Sequence, residues 1–131
     1  MERQEELIKN GNWDYLLIFD ACRYDIFERV YGDYLSGDLR KVKSPASNTY
    51  NWLKKVFDGS HTDIVYIAGN PHIKMSDGVH ERFHKIVDVW DWGWDESIGT
   101  VPPMDVSKGA VAAHHVNPEK RLIIHYNQPH A

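Results

Sequence analysis

The chain has 131 residues, 42% hydrophobic and 26% charged, enough for one compact domain over residues 1–131. A net charge of −4 with scattered basic residues excludes a broad nucleic-acid-binding face, so no nucleic-acid partner is expected. The single Cys22 excludes an internal disulfide, and the absence of a membrane-length apolar stretch or signal-peptide pattern predicts a cytoplasmic protein with no membrane partner.

Residues 2–10 are charged apart from Leu7 and Ile8 and predict a short surface helix stopped at Gly11. The run Leu16-Leu17-Ile18-Phe19 is short, apolar and without polar alternation, so it predicts a strand buried on both faces of a parallel sheet. It ends abruptly at Asp20. Open α/β sheets gather ligands at strand carboxyl ends, so Asp20 is a candidate for a divalent metal or a substrate hydroxyl, or else a cap for the next helix. Ile26, Phe27, Val30 and Tyr31 follow at helical spacing before Gly32. Leu39 to Lys43 mixes apolar and basic residues and predicts a further strand.

The segment Ser44-Pro45-Ala46-Ser47-Asn48-Thr49-Tyr50 leads into Trp52, Leu53, Val56 and Phe57, whose spacing predicts a helix from Asn48 or Thr49 to Gly59. Three hydroxyls thus gather at a helix amino terminus, where backbone N–H groups and the dipole favour phosphate or sulfate. The competing use is an N-cap at Ser47 or Thr49.

Asp63 to Gly69 predicts a second buried strand, running into Asn70-Pro71-His72. Lys85 to Asp91 predicts a third, continuing into Trp92-Gly93-Trp94; an extended chain there would set both indoles on one face, against a sugar or nucleoside or against neighbouring loops. Pro102-Pro103 opens a helix of Val106, Ala110, Val111, Ala113 and Val116 that stops at Pro118. Arg121 to Tyr126 is the last strand, ending in Asn127-Gln128-Pro129-His130. Alternating strands and helices predict an α/β fold with a mostly parallel sheet and helices on both faces.

In such a sheet Asp20, the Ser44 to Thr49 hydroxyls, Asn70 with His72, and His130 can meet along one edge. They supply a metal carboxylate, a hydroxyl nucleophile and donors for an anionic ester, the needs of phosphoryl or sulfuryl transfer. A rival motif, His80-Glu81-Arg82-Phe83-His84, satisfies the zinc-peptidase pattern H-E-x-x-H. That chemistry needs a helix of several turns, whereas Gly78 precedes the motif and a strand-like run follows it.

Asp20-Ala21-Cys22-Arg23-Tyr24-Asp25 resembles the first-strand pattern of the alkaline phosphatase and sulfatase superfamily, whose leading Asp binds the catalytic metal. Ser47-Asn48-Thr49-Tyr50 is similar to the segment that carries the superfamily's nucleophile at a helix start. Gly69-Asn70-Pro71-His72 resembles the sulfatase Gly-Lys-Trp-His element, matching at His72 and departing at Asn70, and Pro129-His130 is similar to a later Pro-His pair. The resemblance implies an alkaline-phosphatase-like fold acting on a small anionic ester. It implies Thr49 as nucleophile ahead of Ser47 and Ser44, Asp20 as metal ligand, and His72 and His130 as substrate-binding residues; Asn70, at the position of the sulfatase element's lysine, is expected beside them in substrate binding. The implied cofactor is divalent: zinc, manganese or calcium. The superfamily's later Asp-His or Asp-Asn pair has no counterpart before Ala131. The chain is therefore expected to be the amino-terminal part of a longer domain, inactive alone, or a non-catalytic relative with a degenerate site.

Overall fold

The computed structural model describes residues 1–20, 22–73 and 78–128, the side chains of His72, Val79 and His80 excepted. Ten helices and strands are formed among them: α1 (Gln4–Asn10), β1 (Tyr15–Phe19), α2 (Tyr24–Val30), α3 (Thr49–Val56), β2 (His61–Ala68), α4 (Val79–Arg82), β3 (Phe83–Asp88), α5 (Val89–Gly93), α6 (Pro103–Val116) and β4 (Arg121–Tyr126). The strands form one sheet in the order β1-β4-β2-β3, with every pairing parallel. Parallel neighbours need crossovers, which the helices supply, and the expected α/β architecture is the one observed.

The two inner strands create two cores. Ile64, Tyr66, Ala68 and Ile123 face one side, where Ile8 of α1 and Leu53 and Val56 of α3 cover them. Val65, Ile67, Leu122 and Ile124 face the other, against Val89 of α5 and Val106, Ala110 and Ala113 of α6. Strand alternation explains the partition, since successive side chains leave the sheet on opposite faces. No described helix is long and apolar enough to cross a membrane.

Three expectations change. β1 is an edge strand rather than one buried on both faces: Leu16 and Ile18 pack against the α3-side core, whereas Tyr15, Leu17 and Phe19 are 50%, 49% and 39% exposed. The reason is coverage, because α6 lies over β2 and β4 and meets this face of β1 at Tyr15 through His114, while Phe19 meets Phe27 and Tyr126, contacts that leave these side chains half-exposed. Leu39–Lys43 forms no strand; only an isolated parallel bridge joins Arg3 to Lys43, because Lys43 spends its amide and carbonyl on Glu2 and Gln4 at the entry to α1. The strand predicted over residues 85–91 begins at Phe83 and ends at Asp88, where the chain turns into α5. Val89 drives that turn by seating itself, fully buried, where Gly109 of α6 leaves room: a Cβ on Gly109 would stand 3.0 Å from Val89 Cγ2. Trp92 is consequently helical, and the extended Trp92–Trp94 row does not form.

Candidate active site

Register brings the site together. His125 of β4 aligns with Ile18 of β1 on one side and with Ala68 of β2 on the other. Ala68 and Ile18 belong to the α3-side core, so alternation sends His125 to that face as well. Asp20 and Asn70 stand two residues beyond Ile18 and Ala68, one pleat further along the same face. Backbone bonds carry the ladder past the strand ends, with Asp20 N–H donating to Tyr126 C=O (3.3 Å) and Gly69 N–H to His125 C=O (2.8 Å). Gly69 is required there, since a Cβ would lie 2.9 Å from the His125 carbonyl oxygen and 3.0 Å from Val106 Cγ2.

The side chains meet at this rim. Asn70, 3% exposed, donates from Nδ2 to Asp20 Oδ2 (2.5 Å) and to Thr49 Oγ1 (3.4 Å). Residues from β1, α3 and the end of β2 are therefore in hydrogen-bond contact although separated by 21 to 50 positions. Asp20 caps no helix: α2 follows Arg23 as its N-cap position, without a side-chain cap. The cap of α3 is neither Ser47 nor Thr49 but Asn48, whose Oδ1 accepts from Asn51 N–H at 2.9 Å. Thr49 is thereby the first residue inside the helix, its hydroxyl turned to Asn70. Ser44 Oγ instead donates to the Ala46 carbonyl at 2.8 Å.

These groups line an open cleft of about 890 Å³ whose wall includes Asp20, Ser44, Ser47, Thr49, Asn70 and His125. Ser44 also borders a neighbouring groove of about 570 Å³ lined by Arg3, Lys43, Lys54 and Lys55. Glu5 and Asp58 offset part of that positive charge, Arg3 lying 3.3 Å from Glu5 and Lys9 3.0 Å from Asp58.

Beneath the rim lies a pair that the sequence reading missed. His125 is 2% exposed, and its Nδ1 is 2.7 Å from Tyr66 Oη. Among the described residues its Nε2 has no hydrogen-bond partner, and it lies 3.8 Å from Asp20 Oδ2. Burial pushes the Tyr66 phenol well above its ordinary pKa, and the negative charge of Asp20 adds to the effect. The available signal was an imidazole inside the aliphatic strand Leu122-Ile123-Ile124-His125, where burial demands a polar partner.

Among the described residues no three His, Cys, Asp or Glu side chains cluster as a complete metal site. Asp20 beside an orphaned, buried imidazole nitrogen nevertheless provides two donors of the right chemistry for a divalent ion. Of the residues expected to act together, Asp20, Thr49 and Asn70 do meet. His72 has its backbone in the short 3₁₀ turn Pro71–Ile73 directly after Asn70, and His130 lies outside the described residues. The H-E-x-x-H stretch is divided between elements: α4 covers Val79–Arg82 and His84 lies in β3, so the two histidines do not share a helical face. Comparison with family models, with characterised proteins and with solved structures gives no match.

Proposed function

We propose that the protein is a metal-dependent hydrolase or transferase of phosphate or sulfate esters that uses Thr49 as its nucleophile. The observation that supports this reading most is the Asp20–Asn70–Thr49 contact, in which one amide bridges a carboxylate and a hydroxyl at a sheet's carboxyl rim. A small anionic ester suits the site because the first turn of α3 faces the cleft with its positive dipole end.

In this reading Thr49 Oγ1 gives up its proton to solvent and attacks phosphorus or sulfur, and the bond to the ester oxygen breaks, so that the departing alcohol carries away the electron pair and takes up a proton from solvent. Asn70 holds the Thr49 oxygen in line and fixes the Asp20 carboxylate, while His72 and His130 are assigned to the ester's non-bridging oxygens. Water then cleaves the Thr49 ester and regenerates the hydroxyl. Asp20 would hold a divalent ion, which when bound would supply Lewis acidity that lowers the cost of deprotonating Thr49 and offsets charge on the ester. The alkaline-phosphatase-like affiliation and a cytoplasmic setting belong to the same proposal.

The test uses protein expressed from its full natural reading frame, supplied in turn with zinc, manganese and calcium and offered aryl phosphates and aryl sulfates. Turnover is expected, and Thr49→Ala should lower it by on the order of 10³-fold or more without changing the unfolding midpoint, whereas Ser47→Ala should leave it in place. Absence of turnover with every ion, or turnover indifferent to Thr49→Ala, overturns the reading.

A further inference from the structure

We infer that His125 is a second protein donor, with Asp20, to a divalent metal ion, and that Tyr66 selects the imidazole tautomer that leaves Nε2 able to bind it. The hydrolase reading above is needed only for the use made of the ion.

The starting point is an unexplained atom. A buried ring nitrogen without a partner carries an uncompensated desolvation cost, and such orphans in folded proteins generally mark the place of an ion, a water or a reacting group. His125 Nε2 is such an atom, on a side chain 2% exposed. It faces Asp20 Oδ2 across 3.8 Å, too far for a hydrogen bond. Two donors that share one ion through bonds of about 2.1 Å stand about 3.0 Å apart at a right angle and about 4.2 Å apart in line, so the observed gap falls inside the span that metal sharing allows.

Tyr66 completes the arrangement. Its oxygen lies 2.7 Å from Nδ1; in the inferred tautomer Nδ1–H donates to it, which places the ring proton on the nitrogen away from Asp20. In that tautomer the Nε2 lone pair faces the Asp20 carboxylate across 3.8 Å, and a cation between them satisfies both acceptors. Metal-bound histidines are oriented in this way by a partner on the other ring nitrogen. Asn70 plays the matching part for Asp20, donating to the same Oδ2. Thr49 reaches the same Asn70 amide from α3, so one amide links its hydroxyl to the Asp20 donor. One imidazole with one carboxylate suits zinc or manganese better than calcium, which prefers oxygen donors throughout.

Zinc titration of ¹⁵N-histidine-labelled protein, followed through the ring nitrogens, tests this without reference to turnover, with His125→Gln identifying the His125 signals. At one equivalent of zinc the Nε2 resonance of His125 should move while Nδ1 keeps its proton. Calorimetry should show zinc affinity reduced at least tenfold by His125→Gln and by Asp20→Asn, and about 10- to 100-fold by Tyr66→Phe, with calcium bound more weakly than zinc. Zinc binding that needs Asp20 but leaves the His125 resonances and the His125→Gln affinity unchanged overturns the inference and spares the hydrolase reading. Failure of the wild-type protein to bind zinc or manganese overturns both. Zinc held through His125 with no ester turnover supports the inference and overturns the hydrolase reading alone. Should His125→Gln fail to fold, the Nε2 resonance in the wild-type protein, identified through its contact with Tyr66, decides.

Discussion

β1 and β2 are near twins as sequence and opposites as structure. Each is an apolar run that ends in a polar residue at the sheet's carboxyl rim, Asp20 for one and Asn70 for the other. Yet Ile64 to Ala68 are shut away on both faces, while β1 leaves Tyr15, Leu17 and Phe19 in half-contact with solvent. The two strands therefore contribute differently: β2 carries the stability of the fold, and β1 carries a carboxylate to the site. Hydrophobic composition tells how much surface a strand can bury, and only its neighbours determine how much it does bury.

That contrast can be broken or sharpened experimentally. The largest effect belongs to Ile67→Ala, which removes a fully buried side chain packed against the α5–α6 core and should lower unfolding free energy by about 2–5 kcal/mol in a denaturant titration. Gly69→Ala comes next: a methyl 2.9 Å from the His125 carbonyl oxygen must push β2 and β4 apart, at a cost of about 1–3 kcal/mol. Because that contact sits at the rim, the proposed metal binding should weaken with it.

Tyr66 supplies a pH signature of the β2 interior. Its folded-state pKa is raised by burial, so only the unfolded chain releases the proton just above the ordinary tyrosine range. The contribution is fully present below that range and is lost as pH rises beyond it, by at most about 1.4 kcal/mol per pH unit. Chemical denaturation from neutral to alkaline pH should show this decline, and Tyr66→Phe should flatten it. The smallest effect is expected on the other strand, where Leu17→Ala, at a half-exposed position, should cost less than about 1 kcal/mol. A loss at Leu17 equal to that at Ile67 would mean that β1 is covered in solution.

The same contrast separates what could be read in the chain from what could not. The runs Asp63–Gly69 and Arg121–Tyr126, and the proline-opened helix α6, announce themselves by length and spacing, and their strand-and-helix alternation is enough for the α/β class. Asp20 and Asn70 were legible because strand ends in such sheets face a common crevice. Thr49 was legible because a helix start attracts polar residues, although the division of labour, with Asn48 as cap, required coordinates. His125 was not, because it lies inside a strand, and the pairing that sets it between Ile18 and Ala68 is a property of the sheet. The mixed run Leu39–Lys43 misled for a related reason: Leu39 and Val42 are too little apolar surface to hold a strand against competing bonds from the entry to α1.

Acid-quenched mass spectrometry of the protein expressed from its full natural reading frame, sampled during turnover of an aryl phosphate with zinc or manganese, is the most direct test of the shared rim. The expected product is one phosphoryl group on the peptide containing Thr49, absent from Thr49→Ala and lost from Asp20→Asn. A phosphoryl group on Ser44 or Ser47, or steady turnover with no modified peptide at all, would contradict the assignment of Thr49 as the group that attacks.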